Sequence, residues 1–231
     1  MNALITGATK GIGRAIALKL AAEGYNLSIC ARNEQELNDF AVELRSLGVN
    51  VVYVPVDCAD KDAVKRFCEF TAHELGDIDV LVNNVGTFLP GLLLDEEEAN
   101  FDLQLQLNLY TPYILSRFFG KMMREKAAGH IFNICSVASK EIVKNAGSYS
   151  VTKSALLSLN NVLRQELTPY NVKVTAILPG STYTASWEGT VLPKEQFVQP
   201  EDIANTISTI LKLSIGVNVD EVILKPQNFK E

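Results

Sequence analysis

The chain has 231 residues, of which 47% are apolar and 21% charged, a balance that fits a globule and excludes a disordered or fibrous chain. Twenty-one basic residues against 27 acidic ones leave a formal charge of −6, which argues against nucleic acid or an anionic membrane as partner, although a local basic patch still suits one phosphate. Cys30, Cys58, Cys68 and Cys135 form no C-x-x-C pair or disulfide ladder, and His73 and His130 are too few for a His-rich metal site, so a reduced, cytoplasmic, metal-free chain is expected.

The sequence enters an apolar run at Ala3 with no charged leader before it, and no apolar stretch reaches the roughly 18 residues of a membrane span; neither secretion nor membrane insertion is expected. In chain order, strand is expected at 3–6, helix at 12–23, strand at 27–31, helix at 34–47, strand at 51–56 and helix at 61–75. Strand at 80–83 leads to one long helix at 100–126, then strand at 131–135, helix at 150–167, strand at 172–178, helix at 201–213 and strand at 219–224. Most strands read as continuous Val/Ile/Leu, the pattern of strands covered on both faces. Gly24, Gly48 and Gly76 follow three of the helices, in C-cap positions. This alternation predicts an α/β fold: a single Rossmann-type, doubly wound parallel sheet of about seven strands with helices on both faces, taking residues 1–231 as one domain. The segment 181–199 breaks the rhythm and holds Trp187, Gly189 and Pro193. It follows a strand's C-terminal end, where open α/β sheets bind ligands, and is read as a substrate loop; surface padding is the plainer alternative.

The first strand runs into T-G-A-T-K-G-I-G at 6–13, and a helix follows. Gly7, Gly11 and Gly13 allow a tight turn and close approach of a pyrophosphate, while the helix N-terminus offers free N–H groups and a positive dipole end. Three glycines alone mean only a tight turn; strand before and helix after point to dinucleotide binding. The spacing is not G-x-G-x-x-G but is similar to the T-G-x-x-x-G-x-G of the short-chain dehydrogenase/reductase family. That resemblance covers nearly the whole chain. Asn83–Asn84–Val85–Gly86 resembles the family's N-N-A-G, Asp57 stands where the family places an Asp near the adenine, and Asn108 lies in the long central helix. Ser136 ends the fifth strand, Tyr149 and Lys153 follow it by 13 and 17 residues as Y-x-x-x-K, and Pro179–Gly180 with Thr184 resembles the segment holding the nicotinamide carboxamide. Val85 replaces the usual alanine, and Thr182 a common aliphatic residue; neither departure removes a reacting group.

The resemblance implies a nicotinamide dinucleotide held by Gly7, Thr9, Lys10, Gly11, Ile12, Gly13, Arg32, Asp57, Asn84, Val85, Gly86, Tyr149, Lys153, Pro179, Gly180, Thr182 and Thr184. Cys58, beside Asp57, either lines the adenine site or simply packs. NAD-specific members place an acid after the second strand, whereas this chain reads Cys30–Ala31–Arg32 there and has Lys10 inside the glycine turn. A 2′-phosphate carries about two negative charges and favours Arg or Lys. NADP(H) is therefore expected over NAD(H), with Lys10 and Arg32 implied at the phosphate; read singly, each is a solvated charge.

Tyr149 and Lys153, four residues apart, share a helix face. A free tyrosine titrates near about 10, and a nearby ammonium is expected to lower that value. Tyr149 would then donate a proton to a carbonyl oxygen as hydride arrives from nicotinamide, or accept one in reverse, while Ser136 hydrogen-bonds the same oxygen. The resemblance adds that Lys153 holds the nicotinamide ribose and that Asn108 anchors a relay water. Asn108, Ser136, Tyr149 and Lys153 are thus the expected catalytic group, although each alone has an ordinary turn or packing role. His73, His130 and Cys135 are read as structural, and the acidic run 95–98 as a solvated helix start.

The substrate is expected between 87–92, 137–143 and the loop 181–199, against Ser136, Val137, Tyr149, Tyr183 and Trp187. These walls are apolar and aromatic with few charges, which suits a small neutral or heteroaromatic ketone better than a polyanion. Reductases of 3-oxoacyl-[acyl-carrier-protein] present arginines where this chain has Ala127 and Tyr170, and the charge of −6 opposes an acidic carrier. P-G-S-T-Y-T-x-S-W, P-E-D-I-A and V-D-E-V-I-L-K-P are instead similar to bacterial sepiapterin-reductase-like members. A reading of another class, a non-catalytic NADP(H) sensor, leaves the four catalytic-type residues without a purpose. Family members pair their two long helices across a two-fold axis, so a homodimer or homotetramer is implied.

Overall fold

Asn2–Thr6 forms the central strand β1, and Ala3, Leu4, Ile5 and Thr6 are all fully buried, as expected of a strand covered on both faces. The computed structural model describes residues 1–187 and 189–227. Period-two alternation sends the side chains of β1 to opposite faces. Ala3 and Ile5 pack among residues of α1 (Gly11–Ala22), α2 (Glu34–Arg45) and α7 (Pro200–Leu211). Leu4 packs on the other face, among residues of α3 (Lys61–Leu75), α5 (Thr111–Lys126) and α6 (Gly147–Leu167). The other strands are β2 (Asn26–Ala31), β3 (Val51–Pro55), β4 (Val80–Asn83), β5 (Gly129–Ile134), β6 (Val172–Pro179) and β7 (Glu221–Leu224).

All neighbours pair in parallel, in the order β3-β2-β1-β4-β5-β6-β7. The sheet is the doubly wound α/β arrangement that the sequence predicts. Chain order reverses between β1 and β4, so a crevice opens beyond their C-terminal ends. The glycine turn and the residues leaving β4 stand on its two sides. Among the described residues no helix is long and apolar enough to cross a membrane.

Three local differences from the sequence reading bear on that crevice. The helix expected at 100–126 is α4 (Glu98–Leu105), a π-helical turn at Gln106–Tyr110, and then α5. The wide turn contains Asn108, and turns of this kind recur at functional positions. Helix α6 starts at Gly147 rather than 150, which places Tyr149 in its first turn. The segment 181–199 is not structureless: it holds short 3₁₀ turns at Ala185–Trp187 and Lys194–Gln196, and a parallel bridge between Thr182 and Val198 closes it on itself. Glu188 of that loop and 228–231 of the expected domain lie outside the described residues.

Candidate active site

The start of α1 has no side-chain cap at Lys10, so its first-turn amides face the crevice as unused donors for an anion. A Cβ on Gly13 would stand 2.3 Å from the Gly7 carbonyl oxygen and 2.5 Å from Asn84 Nδ2; the turn closes against β4 only because glycine is there. Asn84 Nδ2 donates to the carbonyls of Thr6 and Gly7 at 2.8 and 3.1 Å. Thr6 Oγ1 accepts from the amides of Asn84 and Val85 at 3.1 and 3.0 Å. In front of this cradle lies a cavity of about 650 Å³, lined in part by Gly7, Thr9, Lys10, Arg32, Asp57, Cys58, Val85 and Gly86. Its backbone donors, glycine surface and flanking bases fit a dinucleotide.

The basic end of the cavity differs from the sequence reading in one respect. Lys10 Nζ donates to Glu36 Oε1 at 2.9 Å, and Glu36 lines the same cavity beside Arg32 and Asn33. The sequence shows no acid directly after β2, but α2 starts three residues later and delivers one. Asn33 caps that helix by accepting from the Glu36 amide at 3.0 Å, which fixes Glu36 at the cavity edge. Cys58 is buried at the cavity wall, and its carbonyl accepts from Thr111 Oγ1 at 2.7 Å, so it both lines and packs. A hydrogen bond with Cys58 and burial raise the Cys30 thiol, and burial pushes Cys68 and Cys135 up to about 12. These three stay neutral at ordinary pH and are buried; of them, the sequence singles out Cys135 as a core residue.

Gly86 and Thr87 belong also to a second cavity of about 350 Å³. It gathers Ile12, Asn84, Ser136, Val137, Tyr149, Lys153, Pro179, Gly180, Thr182, Thr184 and Trp187. Behind its wall stands the fully buried Asn108, whose Oδ1 accepts from the Thr87 amide at 2.8 Å. Asn108 Nδ2 donates to the Thr87 carbonyl at 3.0 Å and to Thr152 Oγ1 at 3.1 Å. A Cβ on Gly86 would stand 2.8 Å from Asn108 Oδ1 and 3.3 Å from Lys153 Nζ, so this glycine lets both side chains close up behind the backbone.

Ser136 lies two residues beyond the end of β5, in a reciprocal turn: its Oγ accepts from the Ala138 amide at 3.1 Å, and its amide donates to Ser139 Oγ at 3.3 Å. Lys153 is buried, donates to the Ile134 carbonyl at 2.8 Å, and has its pKa brought down to about 8 by burial. Burial raises Tyr149 above 10.0, opposed by a hydrogen bond from Ser136. This corrects the expectation that the ammonium lowers Tyr149. Lys153 Nζ is 5.8 Å from the tyrosine ring centre and is spent on a carbonyl, so desolvation wins. Phe88 meets the Tyr149 ring edge-on at 5.0 Å.

Tyr183 is a second correction. It does not reach the cavity but lines a separate cleft with Gly11, Arg14 and Pro200. Its amide donates to the Val198 carbonyl at 2.9 Å, and its ring packs on Phe197 at 5.6 Å. The Thr182–Val198 bridge makes the segment locally extended, so Thr182 points in and Tyr183 out. Trp187 does line the cavity and packs on Phe197 at 4.8 Å. Of the expected wall 87–92, Thr87 and Phe88 take part, whereas Leu92 is exposed and does not line the cavity.

His130 is buried with Nε2 2.8 Å from Thr175 Oγ1, and burial pushes its pKa down to about 3; His73 is exposed, 2.8 Å from Glu74. Neither lines either cavity. Among the described residues no group of His, Cys, Asp and Glu is arranged to hold a metal. Sequence reasoning missed Glu36 and also Lys144, which lines the second cavity one residue past the expected wall.

The model of the short chain dehydrogenase family matches residues 1–194. An uncharacterised oxidoreductase of Staphylococcus aureus is 31% identical over 224 residues, covering 97% of this chain and 96% of that one. An alcohol dehydrogenase from the archaeon Thermococcus sibiricus, complexed with 5-hydroxy-NADP, superposes with a TM-score of 0.91 at 30% identity over 100% of this chain and 98% of its own. A metagenomic short-chain oxidoreductase in complex with NADP gives 0.86 at 30% identity, over 99% and 98%.

Proposed function

The chain belongs to the short chain dehydrogenase family, and on that premise we propose that it is an NADP(H)-dependent reductase converting a small or heteroaromatic ketone to an alcohol. The observation that carries this reading is the convergence of Ser136, Tyr149 and Lys153 on a cavity that shares the wall residues Gly86 and Thr87 with the one in front of the glycine cradle. NADPH held there would supply hydride to the carbonyl carbon.

Every other part of the reaction falls to the chain. Tyr149, held protonated by burial, gives its phenolic proton to the carbonyl oxygen, and Ser136 steadies that oxygen by hydrogen bonding. Lys153, beside the tyrosine, stabilises the phenolate left behind and restores its proton. Asn108 acts as a positioning residue through Thr87, because its side-chain amide is already engaged. Lys10 and Arg32 favour NADP(H) over NAD(H), a preference supported by the NADP and 5-hydroxy-NADP in the two similar structures. The substrate branch we favour is the sepiapterin-reductase-like one. A second copy pairs through α5 and α6, where Tyr113, Leu159 and Val162 line a cleft of about 360 Å³.

The test is NADPH oxidation by purified protein over sepiapterin, small diketones and 3-oxoacyl thioesters. Turnover of the ketones ahead of the thioesters is expected; no turnover of any of them overturns the reading in favour of a sensor.

A further inference from the structure

The second cavity carries a charge that its apolar walls conceal. Its lining holds two charged side chains, Lys153 and Lys144, and among the described residues no Asp or Glu. Lys153 is buried and spent on the Ile134 carbonyl. Lys144 is different: it is exposed, at the mouth, on the connection between β5 and α6.

Among the described residues, the carboxylates that meet residues 140–148 are paired with groups other than Lys144. Glu141 pairs with Lys225 at 2.6 Å, Glu221 pairs with Lys140, and Glu96 accepts from Ser148. The turn that bears Lys144 is also held in place. Asn145, at φ 54°, takes the left-handed conformation, and its carbonyl accepts from the Gly91 amide at 2.8 Å. Gly147 returns the bond to the Gly91 carbonyl at 3.2 Å, and Ala146 donates to Val143 at 3.2 Å. A positive charge for which no described carboxylate serves as partner thus stands on a pinned turn, five residues before Tyr149. An anion entering this mouth is attracted, and a cation is opposed.

We propose that Lys144 binds the carboxylate of an oxo-acid substrate, whose apolar or aromatic body lies against Phe88, Val143 and Trp187 while its ketone faces Tyr149. This rests on the reductase reading and narrows it: the neutral substrate expected from the sequence becomes a monoanion. The expected wall stopped at Val143, one residue short of the charge. The reaction balances as before, with hydride to the ketone carbon, a proton from Tyr149 to its oxygen, and the carboxylate unchanged.

The test compares phenylglyoxylate with its methyl ester, a pair differing in one charge. The readout is the ratio of kcat/KM for acid over ester with NADPH. In Lys144→Gln this ratio falls about two- to fivefold, the scale of an ion pair facing water; Lys144→Arg keeps it, as does Lys140→Gln. The wild-type ratio falls with added salt, and that of Lys144→Gln does not. An equal ratio in wild type and Lys144→Gln overturns the inference while leaving the reductase intact. Equilibrium binding of phenylglyoxylate to the protein saturated with NADP+ needs no turnover. Weaker binding to Lys144→Gln than to wild type supports the inference even where the reductase reading fails. Equal binding, or none to wild type at millimolar acid, overturns it.

Discussion

Lys10 Nζ and Glu36 Oε1 stand 2.9 Å apart at the edge of the dinucleotide-sized cavity. A phosphate arriving at Lys10 must take the lysine from Glu36, and the released carboxylate then faces a dianion of the same sign. Glu36 is therefore expected to weaken discrimination for NADPH over NADH. Both side chains are substantially exposed, so the effect is small. Glu36→Gln should tighten NADPH by about two- to fivefold and leave NADH nearly unchanged. Fluorescence titration of the two reduced cofactors measures this; equal changes for both, or weaker NADPH, would refute it.

Tyr149→Phe removes one hydroxyl from a ring packed on Phe88. Loss of the proton donor should cost about 10²- to 10⁴-fold in kcat, with NADPH affinity within about threefold. Turnover at the normal rate would show that the proton comes from another group.

Asn108→Leu keeps side-chain size but strands the Thr87 amide and carbonyl, while the Thr152 hydroxyl loses the bond it accepts and keeps the one it donates to the Tyr149 carbonyl. Buried polar groups left unpaired cost about 1–3 kcal/mol each, and some relaxation is available, so a loss of about 2–4 kcal/mol in unfolding free energy is expected. Urea unfolding gives the total, and faster hydrogen exchange at Thr87 locates it. A loss below about 0.5 kcal/mol would mean these bonds are not what holds the wall.

Stability should fall on mild acidification because of His130. Burial lowers its folded-state pKa to about 3, against about 6.5 unfolded. Between these values the unfolded chain binds a proton that the native chain does not, so stability falls as pH drops below 6.5. The His130 contribution between pH 7.5 and 5 is about 2 kcal/mol. His130→Gln, able to keep a bond to Thr175, should flatten that limb. Identical urea midpoint shifts in the two proteins would exclude His130 as the cause.

The exposed Val162 sits in the cleft between α5 and α6. Sedimentation should show a species of at least twice 25.4 kDa, and Val162→Glu should dissociate it by burying an unpaired charge. A monomer of the wild type at micromolar concentration would rule out this interface.

Much of this protein is legible in its sequence because local rules govern it. Continuous apolar strands, glycine-ended helices and a glycine turn between strand and helix each depend on near neighbours, and they define the doubly wound sheet and its crevice. Tyr149 and Lys153 share a helix face by spacing alone. Other features exist only through contacts between distant segments. The Thr182–Val198 bridge, 16 residues apart, turns Tyr183 out and leaves Trp187 in. Asn108 finds Thr87 through a π turn that no periodicity announces. Glu36 reaches Lys10 across 26 residues, and Lys144 acquires meaning only from the absence of a described acid around one cavity. The raised pKa of Tyr149 comes from burial, which outweighs the lysine that the spacing supplies. Residue type and spacing determine which groups are present and which face they share. Burial and the carboxylates within reach decide what charge each group carries and what it can bind, and both depend on how the whole chain packs.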